Sequence, residues 1–181
     1  RENNLLVLAC AMKIQKFVFL LFLFFIASAR QADAQVVINE FVPKAEQEWV
    51  EFYNSSTATE NLADYFFDDD TSFDSDIGKA KIALVGLLGP GAACYRDLDA
   101  SGYLNDSGDS PTLFKTDGST VDSYTYTSTT VDKSYARVPD GGTWQSEQTP
   151  TKSATSCASL ATTPSPTPTP SPTPSPTQNP S

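Results

Sequence analysis

The chain has 181 residues, with 12 Lys+Arg against 22 Asp+Glu and no His, a formal net charge of −10 at pH 7. The lack of His excludes Ser-His-Asp triads, Cys-His dyads and the usual zinc sites. The acidity argues against nucleic acid, whose affinity for proteins rests mostly on cation-phosphate contacts, and disfavours anionic lipid for the same reason.

The one methionine, Met12, is followed by the three parts of an export signal, so translation is expected to start there, with residues 1–11 as upstream translation. Lys13 and Lys16 supply a basic n-region, Phe17 to Ala29 an apolar h-region, and Ala32-Asp33-Ala34 a small-x-small cleavage pattern. Residues 12–34 are therefore predicted to be a signal peptide, leaving Gln35 as the mature N-terminus of a secreted or cell-surface product. The alternative is an uncleaved leader that anchors the chain in a membrane, but a run of about 13 residues is short of the roughly 20 that a span requires. Without the leader, Arg1, Lys13, Lys16 and Arg30 leave the basic count and Glu2 and Asp33 the acidic one, so 8 face 20 and the net charge is −12.

From Gln35 to about Ser153, short β-rich runs alternate with Gly, Asn, Asp and Pro, and no helical stripe appears. That rhythm predicts one all-β sandwich, spanning 35–157. The predicted strands are Val36 to Val42, Glu48 to Asn54, Tyr65 to Asp68, Lys79 to Leu84, Ala92 to Arg96, Thr112 to Lys115, Thr120 to Thr127 and Ser134 to Val138. Turns fall at Asn54-Ser55-Ser56, Gly89-Pro90-Gly91, Ser107-Gly108, Asp117-Gly118 and Asp140-Gly141-Gly142, and Asp117-Gly118 is the best hairpin signal. Alternation in the second strand sends Val50 and Phe52 to the core and Trp49, Glu51 and Tyr53 to the other face. In the seventh strand, Tyr124 and Tyr126 are expected to pack while Val121, Ser123 and Thr125 stay wet.

Residues 158–181 form a Pro/Thr/Ser-rich tail, with Pro at every second position from Pro164 to Pro176. Proline fixes φ and lacks the donor, so this stretch is expected to be an extended polyproline II stalk reaching roughly 40 Å. The alternative to a stalk is an unattached disordered tail, and whether an anchor or second domain belongs beyond Ser181 is left open by the sequence. Cys94 and Cys157 remain once the leader is removed, and an oxidising compartment favours their pairing. The bond would close a loop of about 60 residues and contribute about 4 kcal/mol. Two free thiols are the alternative, because sequence alone does not show that the two sites meet.

Enzymology without His becomes a question of carboxylates. Glu48 and Glu51 lie three apart on one strand and project from opposite faces, so they do not form an acid/base pair. Asp68, Asp69, Asp70, Asp74 and Asp76 cluster after a strand, where hard-cation binding competes with the favoured reading of a solvated acidic loop. Asp97-Leu98-Asp99-Ala100-Ser101-Gly102 has the spacing of the first half of an EF-hand loop, with Asp97, Asp99 and Ser101 as oxygen ligands. Position 12, however, is Gly108 and flanking helices are missing. No cofactor is expected, and calcium is the one candidate. Asn54-Ser55-Ser56 and Asn105-Asp106-Ser107 match the N-glycosylation sequon, a pattern that recurs by chance.

VVINEF (Val36 to Phe41) followed by EWVEFYN (Glu48 to Asn54) resembles the opening of bacterial lamin tail domains. The resemblance continues in order through Leu62, Tyr65-Phe66-Phe67-Asp68-Asp69, YLNDSGDSPTLF (Tyr103 to Phe114), DGSTVDSYTY (Asp117 to Tyr126) and SYARVPDGGTW (Ser134 to Trp144). It implies an immunoglobulin-like β-sandwich and assigns structural motif roles along the chain. These fall on Asn39, Glu40, Glu48, Trp49, Glu51, Tyr53 and Asn54 in the opening strands, and on Asn105, Gly108 and Asp109 further on. The remainder are Asp117, Gly118 and Asp122, then Arg137, Pro139, Asp140, Gly141 and Trp144. Two departures stand out: Asp64-Tyr65 replaces the family's Gly-Trp, and Thr149-Pro150-Thr151-Lys152 replaces a closing Pro-Thr-Pro-Gly-like stretch, which concerns only the C-terminal boundary. The resemblance implies a non-catalytic extracellular module that binds a protein or envelope ligand or serves an architectural role, displayed on the stalk. The alternatives are an accessory domain of a larger envelope-associated enzyme and a calcium-dependent adhesion domain.

Overall fold

The computed structural model describes residues 35–73, 79–98 and 102–162. In chain order the strands are β1 (Val36–Val42), β2 (Trp49–Asn54), β3 (Glu60–Asn61), β4 (Tyr65–Asp68), β5 (Ile82–Ala83), β6 (Leu87–Leu88), β7 (Ala93–Asp97), β8 (Thr112–Lys115), β9 (Thr120–Ser123), β10 (Ser134–Val138) and β11 (Thr143–Gln148). Single turns of 3₁₀ helix occur at Leu62–Asp64 and Cys157–Ser159. A five-stranded sheet runs β11-β10-β1-β2-β7, a four-stranded sheet β5-β4-β8-β9, and β3 pairs with β6. Every strand pair is antiparallel, which makes the immunoglobulin-like sandwich the observed fold. Among the described residues no helix is long and apolar enough to cross a membrane, and the predicted leader lies outside them.

The core forms where the inner faces of the two larger sheets meet. Val36, Ile38, Phe41, Val50 and Phe52 come from one side and Tyr65, Phe67 and Leu113 from the other, all without solvent contact. Burying each of the larger apolar side chains stabilises the fold by about 1.5–3 kcal/mol. Phe52 meets Phe67 edge-on across the sandwich, and Phe41 anchors a second cluster with Tyr124, Tyr126, Tyr135 and Trp144.

Register along β1 depends on one extra residue. Ile38 pairs with Phe52 but Glu40 pairs with Glu51, so Asn39 is a β-bulge. A strand alternates faces with period two, and without the bulge Glu40 would enter the core and Phe41 would leave it. The bulge lets an apolar-polar-polar-apolar run, Ile38-Asn39-Glu40-Phe41, keep both ends inside.

Several predicted elements are corrected. The run Lys79 to Leu84 contributes only Ile82–Ala83, Ala92 to Arg96 is shifted to Ala93–Asp97, and the ladder predicted to Thr127 stops at Ser123. Beyond Ser123 the chain keeps pairing irregularly: Tyr124 N donates to Pro111 O (3.1 Å), and Tyr126 exchanges backbone bonds with Asp109. Tyr124 and Tyr126 do pack, as expected, while Val121 on the supposedly wet face is partly buried against the core. The strands β3, β6 and β11 were not predicted. The Asp117-Gly118 hairpin forms as expected, with Gly118 at φ 84° and Lys115 N donating to Ser119 O at 2.8 Å.

Candidate functional site

The face of the five-stranded sheet away from the core carries Trp49, Glu51 and Tyr53, as alternation predicted, yet Trp49 is 6 % and Glu51 4 % exposed. The cover is the segment after β11. It leaves β11 at one edge, crosses this face, and reaches β7 at the opposite edge. Thr151 N and Oγ1 donate to the Glu40 carboxylate (3.0 and 2.6 Å), and Ser153 N donates to Glu51 Oε2 (2.7 Å). Ser153 Oγ then bonds Ala93 O, Tyr95 N bonds Thr155 O, and Ser156 bridges Tyr95 in parallel. Cys157 ends the crossing in a disulfide with the core residue Cys94, across 63 positions of sequence. The predicted pairing is thus present. The expectation that Thr149-Pro150-Thr151-Lys152 matters only for the boundary is corrected, because these residues begin a strap over the sheet.

Lys152 secures the strap's middle. Its ammonium lies 2.5 Å from Asp97, 4.0 Å from the Tyr95 ring centre and 5.5 Å from that of Trp49. Asp97, a candidate calcium ligand from sequence, is thereby engaged by a lysine. Its companions Asp99 and Ser101 lie outside the described residues.

Asn39 organises the other end of this face. Its amide donates to Glu51 Oε1 (2.8 Å) and Asp140 Oδ1 (3.1 Å), while its carbonyl oxygen accepts from Gly141 N (2.9 Å). Burial raises the Glu51 pKa above its ordinary value, against the lowering effect of the Asn39 and Ser153 hydrogen bonds, and the nearby Glu40 and Asp140 raise it further. Gly141 sits at φ 68°, and a Cβ there would stand 3.1 Å from the Tyr53 ring. On the core side, Asp122 of β9 accepts from Ile38 N (2.9 Å) and from Arg137 (2.8 and 3.0 Å), and Arg137 donates to Ile38 O. The ion pair therefore satisfies the N–H and C=O of Ile38, which lies outside the β1–β10 register of Glu40–Ala136 and Phe41–Tyr135. The guanidinium also lies 4.6 Å from the Trp144 ring centre, and Gly142 N turns back onto Pro139 O at 2.7 Å.

Glu48 and Glu51 do not meet across a substrate. Glu48 is buried and accepts from Gly102 N and Leu104 N, tying down the chain that precedes β8. Asn54 donates to Ala58 O and Leu88 O and accepts from Ser56 N, so its sequon amide is engaged and without solvent exposure in the folded domain. Asn105 is exposed but bonds Asp109, and Tyr126 Oη bonds Asn105 O. At Gly108 (φ 126°) a Cβ would lie 2.7 Å from Tyr126 O, which explains the glycine. Asp117 accepts from Ser119 N and Oγ, and these bonds hold its carboxyl below its ordinary pKa.

Two members of the acidic cluster, Asp68 and Asp69, depart from the solvated-loop reading. Asp68 belongs to β4 and is 0 % exposed, and Asp69 is 4 % exposed, while Asp74 and Asp76 lie outside the described residues. Asp68 Oδ1 accepts from Asp69 N, while Asp68 Oδ2 and Asp69 Oδ1 are buried with no donor among the described residues other than the neighbouring carboxyl when it is protonated. Burial pushes the Asp68 carboxyl up to about 7, and the side chain of Asp69 and the charge of Asp70 push the same way. Asp69 is raised too, by burial first and then by the charges of Asp109 and Asp70. Among the described residues no three metal-ligating side chains converge.

Two clefts adjoin these features. One of about 330 Å³ is lined by Lys44, Glu48, Leu104, Asn105 and Asp106, with Lys44 paired to Asp106 at 2.8 Å. The other, about 220 Å³, opens between the β10–β11 hairpin and the strap, beside Asn39, Glu40, Arg137 and Thr151. In both, the polar side chains are engaged by backbone or ion-pair partners rather than poised for proton transfer. The sequence pointed to Glu40 and Glu51 without their task, placed Thr151 only in a boundary stretch, and gave Ser153 no role. The available signal was that a Cys94–Cys157 bond obliges residues 149–156 to travel back to β7.

An immunoglobulin-like sandwich whose motif residues are committed to backbone groups defines a structural module. A family model described as Lamin Tail Domain matches residues 29–128, more than half of the chain, and the protein belongs to the lamin tail domain family, a family of non-enzymatic immunoglobulin-like domains. No curated protein matches the sequence.

Proposed function

We propose that this chain is an exported, non-enzymatic lamin tail module that binds a protein or envelope ligand through exposed loops or strands, presented on its Pro/Thr/Ser tail. The observation that carries the reading is the Cys94–Cys157 disulfide. Such bonds persist in oxidising compartments and are reduced in the cytosol, so the bond favours the exported state that the sequence of residues 12–34 suggests. Its position supports a display role as well: Cys157 lies seven residues before Pro164, so the tail departs from a point covalently fixed to the core.

The non-catalytic part of the proposal is supported by where the carboxylates are spent. Glu40, Glu48, Glu51 and Asp122 each accept backbone N–H groups, which leaves them poorly placed to act on a substrate. Loops on a rigid scaffold are the usual seat of recognition in such sandwiches. Fractionating cells that express the full chain, followed by mass measurement with and without thiol alkylation, tests the reading. The expected product is extracellular, starts at Gln35 and resists alkylation until reduced. Cytosolic protein with two alkylated cysteines would overturn it.

A further inference from the structure

We propose that Asp68 and Asp69 share one proton and act as a pH-sensitive latch, which ties the chain after β4 to the segment before β8 while the proton is held and loosens when it leaves. The geometry carries this reading. Asp68 is 0 % and Asp69 4 % exposed, and the two carboxyls lie in hydrogen-bonding contact with each other. Asp68 Oδ1 accepts from Asp69 N at 2.9 Å, which leaves Asp68 Oδ2 and Asp69 Oδ1 buried with no donor from elsewhere among the described residues. Two carboxylates in contact and out of water repel each other and both forgo hydration. One proton between them removes a charge and turns an acceptor into a donor, so the pair is complete with it and incomplete without it.

Backbone pairing sets what the proton holds. Asp68 is opposite Thr112 in the β4–β8 ladder, and Asp69 O accepts from Ser110 N at 3.3 Å. Beyond Asp69, the Phe73 ring packs on Phe66 and Phe114. The titratable groups around the pair come from four segments. Asp70, on the same segment, accepts from Ser72 N, and Asp109 faces the pair from the segment before β8. Lys81, next to β5, lies over the Phe73 ring, and Tyr103 Oη reaches Ala80 O. Burial is the first cause that raises both carboxyls, Asp68 to about 7, and Asp70 and Asp109 only add to it. The folded chain therefore holds this proton more tightly than the unfolded chain does. The stability it contributes is complete below the ordinary value of 3.8, falls as pH rises, and is gone once pH passes about 7.

The test is thermal unfolding of the full chain from about pH 5 to about pH 8 at constant ionic strength, beside Asp68→Asn. The asparagine keeps Oδ1 as an acceptor for Asp69 N and places a permanent amide donor where Oδ2 stood, so it stands in for the protonated state. The midpoint of the unaltered chain is expected to fall by about 5–10 °C across that range. Asp68→Asn is expected to lose most of the fall and to melt higher than the unaltered chain at the alkaline end, whereas Asp132→Asn, an exposed control, keeps the fall. A midpoint of the unaltered chain that is flat across the range would overturn the latch, as would an undiminished fall in Asp68→Asn. Should Asp68→Asn fail to fold, amide exchange at Ser110 in the unaltered chain decides. Its protection, corrected for the intrinsic effect of pH, is expected to drop by about tenfold or more over the range, and unchanged protection refutes the latch.

Discussion

Replacing both Cys94 and Cys157 with alanine removes the bond that closes a loop of 63 positions. On chain-entropy grounds a loop of that size restricts the unfolded ensemble by about 4 kcal/mol. For a domain of this size each kcal/mol moves the melting midpoint by roughly 4 °C, so the variant should melt about 15 °C lower. The loss should be local before it is global. The strap retains its bonds to Glu40, Glu51 and Ala93, but each is an ordinary hydrogen bond to a segment that is now free to leave. Urea unfolding gives the free energy, and amide exchange at Thr151 and Ser153 reports the strap. A loss below about 1 kcal/mol with those amides still protected would refute the reasoning, because the hydrogen bonds would then be holding the loop without the covalent tie.

Asn39→Ala strips partners from Gly141 N and Glu51 Oε1 and should cost about 2–4 kcal/mol in urea unfolding. A cost under about 0.5 kcal/mol would mean that the bulge does not need its hub. Gly108→Ala places a Cβ 2.7 Å from Tyr126 O at a φ of 126° and should destabilise by about 1–3 kcal/mol, seen as a lower melting midpoint. Burial raises the phenol pKa values of Tyr65, Tyr126 and Tyr135 above the ordinary value of 10.0. Since the unfolded chain then releases protons first, their contribution is complete below pH 10 and is lost as pH rises beyond it. Absorbance titration should show these three phenols ionising only with alkaline unfolding, and three ordinary midpoints in still-folded protein would contradict that.

Legibility in the sequence followed the source of each element's stability. β1, β2, β8 and β10 carry their own apolar alternation or β-branched runs and were readable, as was the Asp117-Gly118 turn, whose chemistry is local. β3 and β6 contribute two residues each, too short for any period, and exist because Glu60 meets Leu88. β11, with the sequence TWQSEQ, is polar almost throughout and is held by its hairpin to β10. Residues 149–156 have no periodic signal because their partners, Glu40, Glu51 and Ala93, are distant in sequence. The motif positions were legible as family matches, but their roles were not: nothing local in Asn39-Glu40 announces a bulge, and nothing in Asp68-Asp69 announces burial. Such properties belong to the packed pair of sheets rather than to any window of chain.

The disulfide also makes the chain a closed covalent ring from Cys94 to Cys157, with the Pro-rich tail attached outside it. A protease that cuts any one peptide bond within that ring opens it without shedding a fragment. The first half of the domain, the second half and the tail would stay joined through the two sulfurs, separating only on a reducing gel. Under the exported role proposed above, a single nick would leave the tail bound to the domain.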